Sequence, residues 1–284
     1  MIKLIAFVDG SSYSKNVCDH AAWISGKTDA SVTLVHVLGR PGENSTPTDF
    51  SGSIGLGART ALLEELVELD GQMARLSHKR GRAILEDAKD ILLNAGVNQV
   101  TTMLRNDGIV ETVQDFEKVS DLIVIGKRGE RSESDEEHLG SNCEHVVRSS
   151  HKPIMVAASS FKPIKRFLIA FDGGTSAMKA VNYLAQNQTF NDLECHLLSV
   201  TDPTTEAEQQ LESAAASLRD AGYVITTKIW PGQPEAVICE TIRSDDIDLL
   251  LMGAYGHSRI RNLFIGSTTT QMIRSCKIPV LLFR

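Results

Sequence analysis

The sequence lacks several features that would assign it to a familiar class. Its five cysteines include no pair separated by two residues and no cluster with histidine at metal-ligand spacing, so we expect reduced thiols and a cytoplasmic protein. The net charge is −7 and no basic block is present, which argues against a general binder of nucleic acid or anionic membranes. No segment approaches membrane-spanning length, and no apolar signal region follows a basic start.

Catalytic motifs are missing as well. No Walker-type Gly-Lys-Ser/Thr sequence occurs, and no set of nucleophile, base and acid can be assembled. His36 lies inside an apolar run and is interpreted as a core histidine. The histidines at 138, 145 and 151 are scattered without metal-ligand spacing. We therefore assign no catalytic residue and no metal ligand on these patterns alone.

What the sequence does contain is an internal repeat. The apolar run that ends at Asp9 returns as one that ends at Asp172, and two further landmarks recur in the same order. Two copies of this length indicate a duplicated domain, since solenoid repeats are much shorter. We expect a first domain over residues 1–158 and a second over 163–284, joined where small and polar residues interrupt the apolar pattern.

Within each half, short apolar runs alternate with longer amphipathic ones. In the second half the expected strands are 167–171, 194–200, 224–229, 247–252 and 278–283, with helices at 176–185, 206–221, 234–243 and 266–276. Strands that are apolar throughout and joined by helices indicate a parallel sheet covered on both faces. We predict an α/β fold of two tandem doubly wound domains, each with a five-stranded parallel sheet. A ligand would bind at the carboxyl ends of the strands, where the winding reverses.

The first half carries an extra stretch between its second and third strands. Gly, Pro, Ser and Thr dominate residues 39–57, which favours a mobile loop. Helical periodicity follows over 61–73 and again over 78–93. One side of the first segment carries four leucines, Leu62, Leu63, Leu66 and Leu69. We expect a longer covering helix, and a partner-binding or lid segment is the alternative.

The most informative motif follows the fourth strand of the second half. Gly253 and Gly256 are separated by two residues, and after nine more residues Gly266 and Ser267 open the next helix. Glycine permits bends and a close approach of a ligand to the main chain. The unpaired N–H groups and positive dipole end of a helix suit a phosphate. The motif therefore predicts a phosphate cradle.

Side chains around this motif suit a polyphosphate. Basic groups lie in the loop between the glycines, at His257, Arg259 and Arg261. Hydroxyl groups stand beside the helix N-terminus, at Ser267, Thr268 and Thr269. Each residue alone also fits a solvated loop or an ordinary helix start, and Asp172 fits a turn before two glycines. Their joint position on one loop favours a bound ligand over these structural alternatives.

The first copy of the motif departs from this pattern. Ten residues rather than nine separate Gly129 from Gly140, and Asn142 and Cys143 replace the hydroxyl pair. The intervening loop is acidic, with Glu130, Glu133, Asp135, Glu136 and Glu137. We expect Lys127, Arg128 and Arg131 to offset this charge only in part. We predict a degenerate first site, with Asp9 and its glycines as remnants of the fold; the rival is an acidic loop that recruits a cation or a basic partner.

The spacing of Gly253, Gly256, Gly266 and Ser267 resembles the nucleotide signature of the universal stress protein family, and the repeat resembles a tandem two-domain member over nearly the whole chain. The resemblance implies bound ATP. Adenine would lie near Val200, ribose near Asp172 and Gly253, and phosphates at Gly256 and from Gly266 to Thr269. AMP, ADP or a signalling nucleotide would use the same pocket. Magnesium or manganese beside a triphosphate would have Asp172 as its one obviously placed carboxylate.

The resemblance also implies an assembly and a role. The halves would pack through their last strands, 154–157 against 280–283, as a pseudo-dimer, and the chain would pair again as a homodimer. The expected function is an ATP-binding stress or regulatory module, with at most slow, incidental ATP hydrolysis. The alternatives are an ATP-dependent enzyme, such as an adenylate-forming or phosphotransfer catalyst, and a scaffold whose cradle is empty.

Overall fold

Strands and helices alternate through the first half of the molecule, as the hydrophobic pattern predicts. The computed structural model describes residues 2–39, 56–129, 139–254 and 267–284, and only the backbone of 56–62 and 267. The first-half elements are β1 (Lys3–Phe7), α1 (Ser12–Thr28), β2 (Ser31–Val37), α2 (Leu56–Asn94), β3 (Val100–Arg105), α3 (Ile109–Glu117), β4 (Leu122–Gly126), α4 (Ser141–Ser149) and β5 (Ile154–Ala157).

The second half repeats this order. Its elements are β6 (Arg166–Ala170), α5 (Thr175–Asn187), β7 (Glu194–Ser199), α6 (Thr205–Asp220), β8 (Ile225–Ile229), α7 (Pro234–Ser244), β9 (Leu249–Gly253), α8 (Ser267–Ser275) and β10 (Val280–Phe283). The predicted bounds differ from these by at most two residues. Pro279 has no N–H to donate, and β10 begins only after it.

The ten strands form one sheet in the order β3-β2-β1-β4-β5-β10-β9-β6-β7-β8. Neighbouring strands within each half are parallel. The chain winds outward from β1 to β3 and then returns to the other side of β1, and the second half does the same around β6. The predicted doubly wound topology is confirmed, with winding reversals between β1 and β4 and between β6 and β9.

The two half-sheets join through their last strands. β5 and β10 are antiparallel, with Val156 opposite Val280 and Ile154 opposite Leu282. All eight residues of the two strands are buried. This confirms the predicted pairing of the two halves. Both strands are interior to the sheet, so neither presents an open edge to another molecule.

Helices cover both faces of the sheet and hold the halves together. One apolar cluster includes residues of α1, α2, α5 and α6, and the other includes residues of α3, α4, α7 and α8. Trp23 of α1 stacks on Phe190 of the second half, with ring centroids 5.1 Å apart. Lys27 pairs with Asp192 nearby. The two halves therefore contact each other through α1 as well as through the pairing of β5 with β10.

The stretch between β2 and β3 corrects one prediction. The longer helix expected from the periodicity of residues 61–73 and 78–93 is present as α2, a single helix of 39 residues. No proline interrupts residues 74–77, and Ala, Arg and Leu there favour helix. The expected covering role holds only from Gly81 onward, because residues 63–77 are largely exposed. The predicted loop, apart from its ends, lies outside the described residues.

Candidate functional site at the carboxyl ends of the strands

Asp172 stands where β6 gives way to α5. Its Oδ1 accepts a hydrogen bond from the Gly174 N–H at 2.9 Å, which shapes the turn that starts α5. The carboxylate side chain is exposed at the carboxyl edge of the sheet. Because β6 and β9 are parallel neighbours at the winding reversal, Asp172 and the end of β9 lie at the same carboxyl edge of the sheet, where folds of this kind bind ligands.

Gly253 ends β9 and is required there by packing. A Cβ at this position would lie 2.9 Å from both the Ala177 amide nitrogen and the Ser176 Cβ of α5. Contacts this short are not tolerated, so any larger residue would push α5 away from the sheet. The sequence suggested that this glycine admits a ligand to the main chain. The structure adds a second reason, which is the close approach of α5 to β9.

Val200 follows β7 and is half-buried against the apolar cluster beneath the crevice. The carbonyl of the preceding Ser199 accepts a hydrogen bond from the Trp230 N–H at 3.0 Å. This bond ties the ends of β7 and β8 together. Val200 therefore stands on a well-supported segment at the same edge of the sheet as Asp172.

The hydroxyl residues in the first turn of α8 differ in their exposure to solvent. Thr268 is half-buried, whereas Thr269 is 3% exposed and belongs to the interior. Ser267 begins the helix, and its first turn carries no acidic residue. The helix starts at the carboxyl edge of the sheet, because it follows β9 and leads back to the parallel strand β10. Its positive dipole end therefore lies at this edge, and such a helix end favours an anion.

Four predicted site residues lie outside the described residues: Gly256, His257, Arg259 and Gly266. Their roles stay predictions. The structure does bring the ends of β6, β7 and β9 and the start of α8 to one edge of one half-sheet. That edge carries the remaining predicted residues, Asp172, Val200, Gly253, Ser267, Thr268 and Thr269.

The corresponding site of the first half shows how the aspartate and the second glycine meet. Asp9 Oδ1 accepts hydrogen bonds from the Ser11 N–H at 3.0 Å and the Ser14 hydroxyl at 3.2 Å. A Cβ on Gly129 would lie 2.5 Å from Asp9 Oδ2. Gly129 is therefore required by the closeness of the Asp9 carboxylate. This arrangement agrees with the predicted structural role of both residues.

A cavity of about 700 Å³ opens beside this first-half site. Its lining includes Asp9, His36, Arg80, Gly129, Ser141 and His145. His36 is 8% exposed and its Nδ1 lies 2.7 Å from the Val8 carbonyl oxygen, as expected of a core histidine. Arg80 was missed, because nothing in the local sequence tells which side of α2 faces the crevice. The predicted degeneracy of this site stays a prediction.

Comparison with known proteins identifies the family. The family model described as "Universal stress protein family" matches residues 1–158 and 201–284. The chain belongs to this family. Universal stress protein Slr1230 of Synechocystis sp. is 36% identical over 287 residues and covers 100% of both chains. A universal stress protein of Mycolicibacterium smegmatis is 21% identical over 304 residues, covering 99% of this chain and 96% of that protein.

Solved structures agree on the fold of this universal stress protein. The crystal structure of a universal stress protein from Archaeoglobus fulgidus superposes with a TM-score of 0.74 at 17% identity, covering 99% of this chain and 98% of that chain. A putative universal stress protein from Pseudomonas aeruginosa gives a TM-score of 0.62 at 14% identity, covering 99% and 92%. At these identities the likeness shows the shared fold.

In this universal stress protein, Lys127 of the first half contacts the second half. The residue belongs to the glycine loop after β4, yet its Nζ donates hydrogen bonds to the carbonyl oxygens of Arg274 at 2.6 Å and Cys276 at 3.0 Å. Both acceptors lie at the end of α8, where the helix dipole favours a cation. Burial lowers the pKa of Lys127 to about 8. The second half therefore binds the Lys127 ammonium group. The acidic loop lies outside the described residues, so its partial offset by Lys127 stays a prediction.

The five cysteines of this universal stress protein are free, as expected. Burial raises the pKa to about 12 at four of them, Cys18, Cys143, Cys195 and Cys276. Thiols that stay protonated are poor nucleophiles. The described parts of the chain contain no group of three potential metal-ligating side chains. They also contain no helix long and apolar enough to cross a membrane.

Proposed function

We propose that this universal stress protein binds ATP at the carboxyl ends of β6, β7 and β9, and that occupancy of this site governs a stress or regulatory response. The start of α8 carries the proposal. Its first four residues are Ser-Thr-Thr-Thr and its first turn has no acidic residue, so its N–H groups and dipole favour phosphate. The equivalent helix of the first half, α4, carries Glu144 in its first turn, which disfavours an anion there.

The remaining groups fit the other parts of the nucleotide. Asp172 offers an exposed carboxylate for ribose hydroxyls, and Val200 offers half-buried apolar surface for adenine. The repeat matches Asp172 with Asp9, whose carboxylate lies at the corresponding strand end of the first half. A bound Mg²⁺ or Mn²⁺ would rely on Asp172 and on the phosphates of the nucleotide itself.

Helix α8 provides a physical route from this site to the other half. Its N-terminus stands at the proposed phosphate site, and the carbonyl oxygens at its other end accept hydrogen bonds from Lys127. A displacement of α8 on binding would therefore act on the first-half glycine loop. ATP shifts the balance between two states only if it binds them with different affinity. A regulatory role requires that difference, whereas catalysis does not.

The test uses matched charge insertions in the two halves. Thr268→Glu places a carboxylate in the first turn of α8, and Asn142→Glu places one at the corresponding exposed position of α4. Both changes suit a helix N-terminus, so folding should be retained. Freshly purified wild-type protein and both variants are denatured, and released nucleotide is identified and counted by mass spectrometry. Uptake of added ATP is measured by calorimetry.

We expect about one adenine nucleotide per chain in the wild type and in Asn142→Glu, and none in Thr268→Glu, because one added negative charge beside a polyphosphate opposes binding by several kcal/mol at low dielectric. A wild type that carries no nucleotide and takes up no ATP would refute the proposal. Loss in Asn142→Glu alone would move the site to the first half. Turnover of bound ATP that depends on Gly266 would favour the enzyme instead.

A further inference from the structure

The N-terminal part of α2 carries an unusual concentration of exposed apolar side chains. Among the described residues, five of the ten exposed large apolar side chains lie on this one stretch. They are Leu63, Val67, Leu69, Met73 and Leu76, which are 50–71% exposed. We call residues 63–77 the α2 overhang. Three of the five, Leu69, Met73 and Leu76, share one face of the helix, and an exposed apolar stripe of this kind indicates a contact surface.

The overhang is distinct from the docked part of the same helix. From Gly81 onward, α2 packs against the sheet, and a Cβ at Gly81 would lie 2.6 Å from the Leu104 side chain. The docked face continues with Leu85, Ala88 and Leu92, which are all buried. The overhang instead has Leu66, Leu69, Met73 and Leu76 at alternating spacings of three and four. This spacing is the a/d seam of a coiled coil.

Charge selects the partner of this seam. Four acidic residues occupy the first part of the stretch, Glu64, Glu65, Glu68 and Asp70, and the exposed basic residues Arg75 and Lys79 follow. A second copy lying parallel would set acid against acid and base against base. A second copy lying antiparallel would set the acidic part of each helix against the basic part of the other, so the surface complements itself about a two-fold axis.

We infer that two copies of this chain pair through their α2 overhangs as an antiparallel helical contact centred near residue 71. This register places Leu66 opposite Leu76 of the second copy and Leu69 opposite its Met73, and it brings Glu65 beside its Lys79. Two such charge pairs result from the symmetry. The strands that end each half-sheet, β5 and β10, are already paired within the chain, so they are not open to a second copy.

The first test removes the apolar seam from the full-length chain. Leu69→Lys with Met73→Lys alters two exposed side chains, so the fold should be retained. Sedimentation velocity at micromolar chain concentrations should then show a dimer for the wild type and a monomer for this variant. Val224→Lys, at a side chain that is 75% exposed elsewhere, is the matched control and should stay dimeric. A monomeric wild type, or a dimer that survives the double change, would overturn the inference.

The second test reads the direction of pairing. Glu65→Lys and Lys79→Glu should each raise the dimer dissociation constant by about tenfold or more, because each creates two like-charge contacts. The chain with both changes restores opposite charges across the antiparallel contact and should dimerise like the wild type. If the double variant instead dimerises more weakly than either single variant, the antiparallel register is wrong.

Discussion

Lys127 should make the stability of the protein depend on pH within a defined window. Its pKa is lowered from 10.5 to about 8 by burial. In the unfolded chain the same ammonium group titrates near its ordinary value of about 10.4. Between about pH 8 and about pH 10 the unfolded state therefore binds more protons than the folded state. The Lys127 contribution to the free energy of unfolding must rise with pH over this window.

The size of the effect follows from the pKa difference. A change from 10.5 to about 8 corresponds to about 3 kcal/mol when the whole window is crossed. The neutral amine still has two N–H groups for the carbonyls of Arg274 and Cys276, so deprotonation need not break the contact. Total stability does not rise by this amount. The four buried thiols, whose pKa is raised to about 12, lower the free energy of unfolding as the pH rises above about 9. Over that range they lose protons in the unfolded chain but keep them in the folded one.

A difference measurement isolates Lys127. Lys127→Met keeps the length and apolar stem of the side chain but cannot titrate, whereas every thiol is common to both proteins. Urea unfolding of both from about pH 7 to about pH 10 should show the wild type gaining about 2–3 kcal/mol relative to the variant. Lys127→Arg, which stays charged throughout, should show no such gain. Parallel stability curves for wild type and Lys127→Met would refute the buried-ammonium argument.

Three further predictions concern the crevice and the contact between the halves. Gly253→Ala should lower the free energy of unfolding by about 1–3 kcal/mol because its Cβ meets α5 at 2.9 Å, whereas Gly26→Ala, in α1 with nothing within 4 Å, should be neutral or slightly stabilising in the same urea titration. Asp172→Asn keeps the turn acceptor but removes the charge; calorimetry should show weaker binding of magnesium ATP with an unchanged melting temperature, and unchanged affinity would exclude a carboxylate role. Trp23→Ala removes the stack on Phe190 and should cost about 2–4 kcal/mol of unfolding free energy, detected by thermal or urea unfolding; a cost near zero would show that this stack does not stabilise the contact between the halves.

Local patterns were sufficient to predict most of the fold. Apolar runs bounded by turn residues located the strands to within two residues, and the repeat of those runs revealed the duplication. His36 was correctly interpreted as a core residue, because it lies within a strand whose neighbours are buried. The end of each strand also showed where the crevice would lie. These features depend on the order and chemistry of residues that are close in the chain.

The candidate site was predicted less completely for a physical reason. Gly253 and Gly129 stand in the predicted motifs, yet the contacts that require glycine come from α5 and from Asp9, which are distant in sequence. The contact of Lys127 with the end of α8 was not predicted, because its partners lie 147 and 149 residues further along the chain. A motif shows which groups are present, and only the folded contacts show which neighbour each group serves.

The sequence by itself determined the α/β plan of two repeated halves, the alternation of strands and helices and the edge of the sheet at which the strand ends meet, because periodicity and burial are properties of short segments. Only the tertiary structure decided that α2 divides into a docked part and an exposed overhang, and that Lys127 joins one half to the other. Both depend on which elements that are distant in sequence pack against each other. The leucines of residues 62–69 have the periodicity of a covering helix, but the sheet that they would cover contacts α2 only from about Gly81 onward.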